Sequence, residues 1–167
     1  LENRKNMAGI YCPAEKFAYV KNFTDIKRFE RLRNQTRFGT YEGSRYFLLS
    51  ETANQGLLSV KLLPYVPATA QDGRKNYRFV TIGRSSVEKN HANLIRGFAR
   101  LRREFDNVYL YLLGDGPLKN ETNTLIASLG LGNCVFAPGI LENPFTILEN
   151  CDCFILPSLH EGQPMVI

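Results

Sequence analysis

Two short segments of the chain contain residue types that bind phosphates and sugars. The first is residues 83–90, GRSSVEKN, which joins a predicted strand to a predicted helix. Backbone N–H groups at a helix start favour an anion, and Arg84 and Lys89 beside them would hold a diphosphate by charge-assisted hydrogen bonds. Alternatively, both cations only pair with Glu88 or nearby carboxylates, as surface charges often do. The segment is neither a P-loop nor a dinucleotide-binding fingerprint, because GxxxxGK[ST] and GxGxxG are both absent.

The second segment, HEGQP, starts at His160 and follows another predicted strand. Glu161 supplies a carboxylate suited to sugar hydroxyls or to a developing positive charge, and Gly162 lets the backbone approach a ligand. A plain surface turn explains the same residues. His160 is one of two histidines in the chain, and we assign it no role in proton transfer.

The cysteines and acidic residues do not form a recognisable metal-binding pattern. Cys151 and Cys153 lie two residues apart without a second such pair, whereas a zinc site needs four ligands. The chain contains no Asp-x-Asp sequence to hold a catalytic divalent cation. We therefore expect no metal and no cofactor. Residues 114–116, GDG, are a fragment of a dinucleotide fingerprint that a plain turn explains as well.

Alternating strands and helices from residue 78 onward position these segments. The predicted strands are RFVTIG, NVYLYLLG, CVFAPG and DCFILPS. A capping-box signal of Ser85 with Glu88 predicts the start of the first helix. The segments KNETNTLIASLG and NPFTILENC predict two further helices. The apolar residues of the first helix follow at helical spacing: Ala92, Leu94, Ile95, Phe98, Leu101 and Phe105. The pattern predicts an α/β class, with a Rossmann-like parallel sheet, helices on both faces and a ligand crevice at the carboxyl ends of the strands.

The sequence predicts that residues 1–77 form a separate N-terminal appendage or insertion, which precedes the domain of residues 78–167. Its structure is predicted to be small and either mixed α/β or β. KFAYVKNF is strand-like and DIKRFERLR is helix-like. SRYFLLS and LLSVKLLPYVP predict two strands, with a hairpin around ETANQG. AQDGRKN is the candidate linker to the second domain.

The net charge of +5 on 167 residues comes wholly from this first part. Lys and Arg outnumber Asp and Glu by 13 to 7 through Asn76, and number 8 against 9 thereafter. The densest stretch, KRFERLRNQTR, is either a solvated helix face or a contact for a polyanionic acceptor, anionic lipid or nucleic acid. Since no RNA-binding aromatic signature accompanies it, we expect no nucleic-acid partner.

The apolar pattern and the cysteines indicate the compartment. No apolar run approaches the roughly 20 residues that span a bilayer, and the first residues lack the plan of a signal peptide. Four cysteines are too few and too irregular for a disulfide framework, and three of them lie among apolar residues like buried thiols: Cys134, Cys151 and Cys153. We expect a cytoplasmic protein, with a peripheral contact to the inner face of the membrane as an option.

Four blocks of the chain resemble, in order, the donor-binding domain of family 4 glycosyltransferases, which is one half of a GT-B fold. The blocks are FVTIGRSSVEKNHANLIRGFARL, VYLYLLGDGPLKNE, LIASLGLGNCVFAPGILENP and CDCFILPSLHEGQPMV, and they cover about residues 78–167. By this resemblance Arg84 and Lys89 contact the nucleotide diphosphate, and Glu161 is the catalytic residue that contacts the transferred sugar. The resemblance adds further substrate-binding residues: Gly83, Asn90, Gly116, Gly139, Ile140, Gly162, Gln163, Pro164, Met165 and Val166.

The resemblance implies transfer of a hexose-type sugar from a nucleoside diphosphate donor, UDP-linked by expectation, with retention at the anomeric carbon and without metal. The acceptor would be a polysaccharide, a wall polymer or a lipid-linked saccharide, and EGQPMV is most similar to transferases that decorate bacterial teichoic acid. The family's second Glu would fall two residues beyond Ile167. Because the N-terminal acceptor domain of the family is missing, we expect this chain alone to be inactive.

Part of the N-terminal segment also resembles the family. VKNFTD, followed by Arg28 and Phe29, is similar to the segment that enters the donor domain, which makes residues 31–77 an insertion. Two alternatives to a transferase stay open. One is a non-catalytic nucleotide-sugar or polyanion-binding module, and the other is a related GT-B nucleotide-sugar epimerase.

Overall fold

The computed structural model describes residues 38–41, 44–54, 57–141 and 143–161. These residues contain seven strands and three helices. In chain order they are β1 (Phe38–Tyr41), β2 (Ser44–Asn54), β3 (Leu57–Pro64), β4 (Tyr77–Ile82), α1 (His91–Glu104), β5 (Val108–Leu113), α2 (Lys119–Ser128), β6 (Val135–Gly139), α3 (Phe145–Leu148) and β7 (Cys153–Phe154).

Strands β4 to β7 form a parallel sheet in the order β6-β5-β4-β7. Val80 of β4 pairs with Tyr111 of β5 on one side and with Phe154 of β7 on the other. The chain therefore builds the sheet outward in one direction through β5 and β6, and then returns to the opposite side of β4. This reversal between β4 and β7 is the topological switch point at which open α/β sheets bind ligands, outside the carboxyl ends of the strands.

Helices α1 and α2 cover one face of the parallel sheet. On β5, Val108, Leu110 and Leu112 alternate onto this face, as the two-residue period of a strand requires. Ile95 of α1 and Ile126 of α2 are buried against them. The predicted amphipathic helix is thus present, although Ala92 and Phe105, two of its predicted apolar residues, are exposed.

The opposite face is covered by α3 together with a second sheet. Strands β1, β2 and β3 form this three-stranded antiparallel sheet. Phe47 of β2 and Leu63 of β3 share a buried cluster with Tyr111 of β5 and Ile147 of α3. The Tyr111 hydroxyl donates to the Pro64 carbonyl at 3.0 Å and accepts from the Val66 N–H at 3.3 Å. The two sheets therefore share one core.

The α/β class predicted from the sequence is confirmed, as is the small β structure before it. The predicted hairpin is present, since β2 and β3 pair from Tyr46 with Pro64 to Asn54 with Leu57. However, ETAN belongs to β2 rather than to a loop, and the sequence did not predict β1. The strand and helix predicted within residues 1–37 lie outside the described residues, as does the basic stretch that starts at Lys27.

Strand β7 is shorter than the predicted DCFILPS, and side-chain contacts help to set its position. Only Cys153 and Phe154 pair with β4. The Asp152 carboxylate accepts hydrogen bonds from the backbone N–H and the Nε of Arg78, at 2.9 and 3.0 Å. The Arg78 guanidinium holds the pKa of the Asp152 carboxyl below its usual value. These contacts hold β7 in its register beside β4, and thereby set where residues 155–161 begin. In the described part of the chain, no helix is both long and apolar enough to cross a bilayer.

Candidate functional site

The loops that follow β4, β5 and β6 are joined by backbone hydrogen bonds at the carboxyl edge of the sheet. Gly83 donates to the Leu113 carbonyl and Gly114 donates to the Gly139 carbonyl, each at 2.9 Å. Ser85 donates to the Asp115 carbonyl at 3.0 Å. These backbone hydrogen bonds hold the three loops together as one unit.

Two glycines allow this close contact. A Cβ on Gly114, whose φ is +132°, would lie 2.1 Å from the Gly83 carbonyl oxygen. A Cβ on Gly116 would lie 2.5 Å from the Ser85 carbonyl oxygen. The GDG sequence is therefore explained by the packing of one loop on the next, and a ligand contact of Gly116 stays a prediction.

Residues 83–90 do not start the helix where the capping-box signal predicted. Helix α1 begins at His91, and Ser85 instead places its hydroxyl in a buried hydrogen bond, 3.1 Å from that of Thr122 in α2. The Glu88 carboxylate accepts from Ser86, which lowers its pKa. The capping prediction was wrong because the Ser85 hydroxyl bonds Thr122 of α2 and does not cap the first turn of α1.

Asn90 connects the loop after β4 to the loop after β7. It is the non-glycine residue with positive φ (55°) among the described residues, a conformation that asparagine tolerates better than most side chains. Its amide Nδ2 donates to the Pro157 carbonyl at 3.2 Å, and Leu159 N–H donates to the Glu88 carbonyl at 2.8 Å. The two loops on either side of the switch point are therefore held together.

Lys89 and Glu161 form an ion pair across the switch point. The Lys89 ammonium donates to Oε1 of Glu161, and the Ser158 hydroxyl donates to the same oxygen at 2.6 Å. The hydrogen bonds from Lys89 and Ser158 lower the pKa of the Glu161 carboxyl below its usual value. The side chains of Lys89 and Glu161 are 28% and 20% exposed, so the pair is accessible to a ligand. The structure thus brings together the cation and the carboxylate that the sequence singled out.

Arg84 is exposed in the same loop as Lys89, with its Cγ close to Gly116. It forms no ion pair with any described residue. The alternative was that both cations only pair with Glu88 or nearby carboxylates, and Lys89 does pair with a carboxylate, that of Glu161 rather than Glu88. An exposed arginine, a lysine and a carboxylate at one crevice can hold a diphosphate and a sugar hydroxyl at the same time.

His91 is a residue of this region that sequence reasoning missed. It is 6% exposed, and its Nε2 is buried without a hydrogen-bond partner among the described residues. Burial, and then the charge of Lys89, lower the pKa of His91. The signal was present in the sequence, because His91 stands at helical spacing before Ile95 and Phe98 on the buried stripe of α1.

The remaining predicted site residues lie at the same edge or outside the described residues. Gly139 ends β6, near the ion pair of Lys119 with Asp115, and Ile140 after it is 73% exposed. Their contact with a substrate stays a prediction. Gly162 and the four residues after it lie outside the described residues: Gln163, Pro164, Met165 and Val166.

The cysteines correct one expectation from the sequence. Cys134 is buried and burial raises the pKa of the Cys151 thiol to about 12, as expected of inert thiols. Cys153, which was predicted to be buried, is exposed in the two-residue strand β7.

Comparisons with known proteins identify the family of the chain. Residues 69–167 match the model of the family described as "Glycosyl transferases group 1". An uncharacterised glycosyltransferase of Methanocaldococcus jannaschii is 39% identical over 94 residues, which are 56% of this chain and 23% of that protein. The N-acetylgalactosamine-N,N'-diacetylbacillosaminyl-diphospho-undecaprenol 4-alpha-N-acetylgalactosaminyltransferase of Campylobacter jejuni is 38% identical over 93 residues, 56% of this chain and 25% of that protein. The chain therefore spans about a quarter of the length of these relatives.

Among solved structures, a mutant of S. aureus TarM in complex with Fondaparinux, alpha-GlcNAc-glycerol and UDP has the same fold over part of its length. The match has a TM-score of 0.52 and 23% identity, and it covers 54% of this chain and 18% of that one. The parallel sheet with its helices is thus a GT-B type half. Since the family model covers more than half of the sequence, the chain belongs to the group 1 glycosyl transferases.

Proposed function

We propose that residues 78–167 bind a nucleoside diphosphate sugar at the crevice between β4 and β7, as the donor half of a retaining glycosyltransferase. The observation that carries this proposal is the ion pair of Lys89 and Glu161 at the switch point, with the exposed Arg84 in the same loop as Lys89. Cations there suit the diphosphate, and a carboxylate a few ångströms away suits the hydroxyls of the sugar attached to it.

In the proposed reaction, Arg84 and Lys89 stabilise the leaving diphosphate. Negative charge grows on that group as the bond to the sugar breaks, so fixed cations lower the energy of the transition state more than that of the ground state. Two side-chain cations can do this without a metal ion, and we propose that none is needed. Glu161 orients the sugar through its hydroxyls.

The sugar transferred is proposed to be a hexose type, UDP-linked, and the acceptor a polysaccharide, wall polymer or lipid-linked saccharide. The C. jejuni relative supports the last of these, since its name includes a diphospho-undecaprenol acceptor. A lipid-linked acceptor places the reaction at the membrane surface, which we propose to be the cytoplasmic one. Because the chain spans about a quarter of such relatives, we propose that it binds donor but needs an acceptor domain for transfer.

Calorimetric titration of the chain with UDP, GDP, ADP and CDP tests the donor site. We expect one diphosphate to bind, and Arg84→Ala to weaken that binding about tenfold or more, the effect of losing a charge-assisted hydrogen bond. Arg100→Ala, which removes an exposed arginine from α1, is the matched control and should bind like the unchanged chain. Absence of binding to all four diphosphates, or equal binding by Arg84→Ala, would contradict the proposal.

A further inference from the structure

The carboxylate of Glu161 is held by two donors that meet on one of its oxygens. Both Lys89 and Ser158 donate to Oε1. Among the described residues, no group donates a hydrogen bond to Oε2. A carboxylate anchored through one oxygen keeps its other oxygen as an acceptor in a fixed position, which is the arrangement needed to receive a sugar hydroxyl.

Ser158 is itself held firmly by the segment that carries it. Ile155 N–H donates to the Val80 carbonyl at 2.8 Å, and Leu159 N–H donates to the Glu88 carbonyl at the same distance. Between them, the Pro157 carbonyl accepts from Asn90. The backbone on both sides of Ser158 is therefore tied to β4 and to the loop after it, so the hydroxyl reaches Glu161 from a fixed point.

The two groups that donate hydrogen bonds to Glu161 respond differently when a nucleotide sugar binds. Lys89 is a cation on a flexible stem, and a diphosphate with its larger negative charge competes with Glu161 for it. Ser158 is neutral and short, so the diphosphate does not draw it away. Once Lys89 has turned to the phosphates, Ser158 is the described group that still anchors Glu161.

We infer that Ser158 is a positioning residue, which keeps Glu161 oriented toward the sugar after Lys89 has moved to the diphosphate. This inference rests on the proposed function, because it needs a nucleotide sugar in the crevice. It assigns Ser158 to recognition of the sugar and not to recognition of the nucleotide. Loss of the Ser158 hydroxyl should therefore weaken binding of the nucleotide sugar and leave the affinity for the nucleotide without sugar unchanged.

The test compares binding of UDP with binding of UDP-glucose, UDP-N-acetylglucosamine and UDP-galactose by calorimetry, with the 167-residue chain. The quantity of interest is the ratio of the Kd for UDP to the Kd for the best nucleotide sugar. In Ser158→Ala we expect this ratio to fall about tenfold, the typical effect of a lost hydrogen bond to a charged group. Ser158→Thr keeps the hydroxyl and should restore most of the ratio.

Two controls separate positioning from a general structural effect. Ser128→Ala removes a hydroxyl that donates to the Leu125 carbonyl within α2, and should leave the ratio unchanged. The Tm of Ser158→Ala should lie close to that of Ser128→Ala. The affinity of Ser158→Ala for UDP itself should equal that of the unchanged chain.

The outcomes distinguish the role of Ser158 from the proposed nucleotide-sugar site. If UDP binds and Ser158→Ala keeps the full ratio, or if no sugar in the panel improves on UDP, the role of Ser158 is wrong while the nucleotide site stands. If Ser158→Ala weakens UDP and nucleotide sugar equally, Ser158 only supports the fold of the loop. If neither UDP nor any UDP-sugar binds, the proposed UDP-linked donor is wrong, and the inference fails with it.

Discussion

At the scale of single residues, the carboxyl edge depends on positions that tolerate no side chain. Gly114 combines a positive φ with direct contact to the backbone of the neighbouring loop, where the obstructing atom is a carbonyl oxygen that cannot rotate away. Arg84 and Lys89 sit on that neighbouring loop. A displacement at Gly114 would therefore move the cations as well as lower stability.

We expect Gly114→Ala to destabilise the chain by about 3 kcal/mol or more, because it adds both backbone strain and a steric clash. Gly97→Ala is the matched control, since Gly97 is exposed within α1 and a Cβ there meets nothing within 4 Å. That substitution should stabilise the chain by about 0.5–1 kcal/mol through helix propensity. Urea unfolding measures both. Equal stabilities for the two variants would show that the loops separate easily in solution.

At the scale of secondary-structure elements, α1 begins with a buried histidine whose Nε2 has no described partner. The preceding Asn90 has a left-handed backbone conformation, and Lys89 stands just before it in the same loop. Burial and the neighbouring ammonium both disfavour the imidazolium form. The start of α1 thus contains a group whose protonation opposes folding.

His91 should make the free energy of unfolding fall as the pH drops below about 6.5, the ordinary pKa of histidine. Its pKa is lowered in the folded chain, so the unfolded chain binds the proton first, and stability is full above the unfolded pKa and lost below it. Urea unfolding of His91→Leu between pH 7.5 and 5 should lack this loss. His160→Gln changes the exposed second histidine and should retain it. An unaltered pH profile in His91→Leu would assign the loss to another group.

At the scale of the whole molecule, the antiparallel and parallel sheets behave as one packed body. Tyr111 lies at their junction, 1% exposed, with Phe47 and Phe136 rings against its own. Its hydroxyl links β5 to Pro64 at the end of β3 and to Val66 after it. Strands β2 and β3, which lie within the predicted insertion, therefore contribute to the core of the parallel sheet.

Tyr111→Phe should cost about 1–3 kcal/mol, because it removes the buried hydrogen bond that the Val66 N–H donates and the part-buried one to the Pro64 carbonyl. Thermal and urea unfolding should still show a single transition, since both sheets share the cluster. Tyr77→Phe, at a residue that is 44% exposed, should be close to neutral. Two separate transitions in the unchanged chain would contradict a shared core.

Much of the fold was predictable because the information is local. The run VYLYLL and the helical spacing of Ile95 and Phe98 define their elements within a few residues. The hairpin of β2 and β3 was predictable for the same reason. In contrast, the capping prediction at Ser85 failed because its hydroxyl bonds Thr122, which lies 37 residues away in the sequence. Burial of Cys153 was wrongly predicted because a two-residue strand has no periodicity to read.

The sequence by itself determined the family, the parallel α/β plan and the two loops that carry Arg84, Lys89 and Glu161. Only the tertiary structure decided that Lys89 pairs with Glu161, 72 residues away, rather than with Glu88 beside it. It also decided that Ser158 shares that carboxylate oxygen. The physical reason is that the return of β7 to the side of β4 is a long-range pairing, stabilised by packing and by Asp152 on Arg78, which no local pattern encodes.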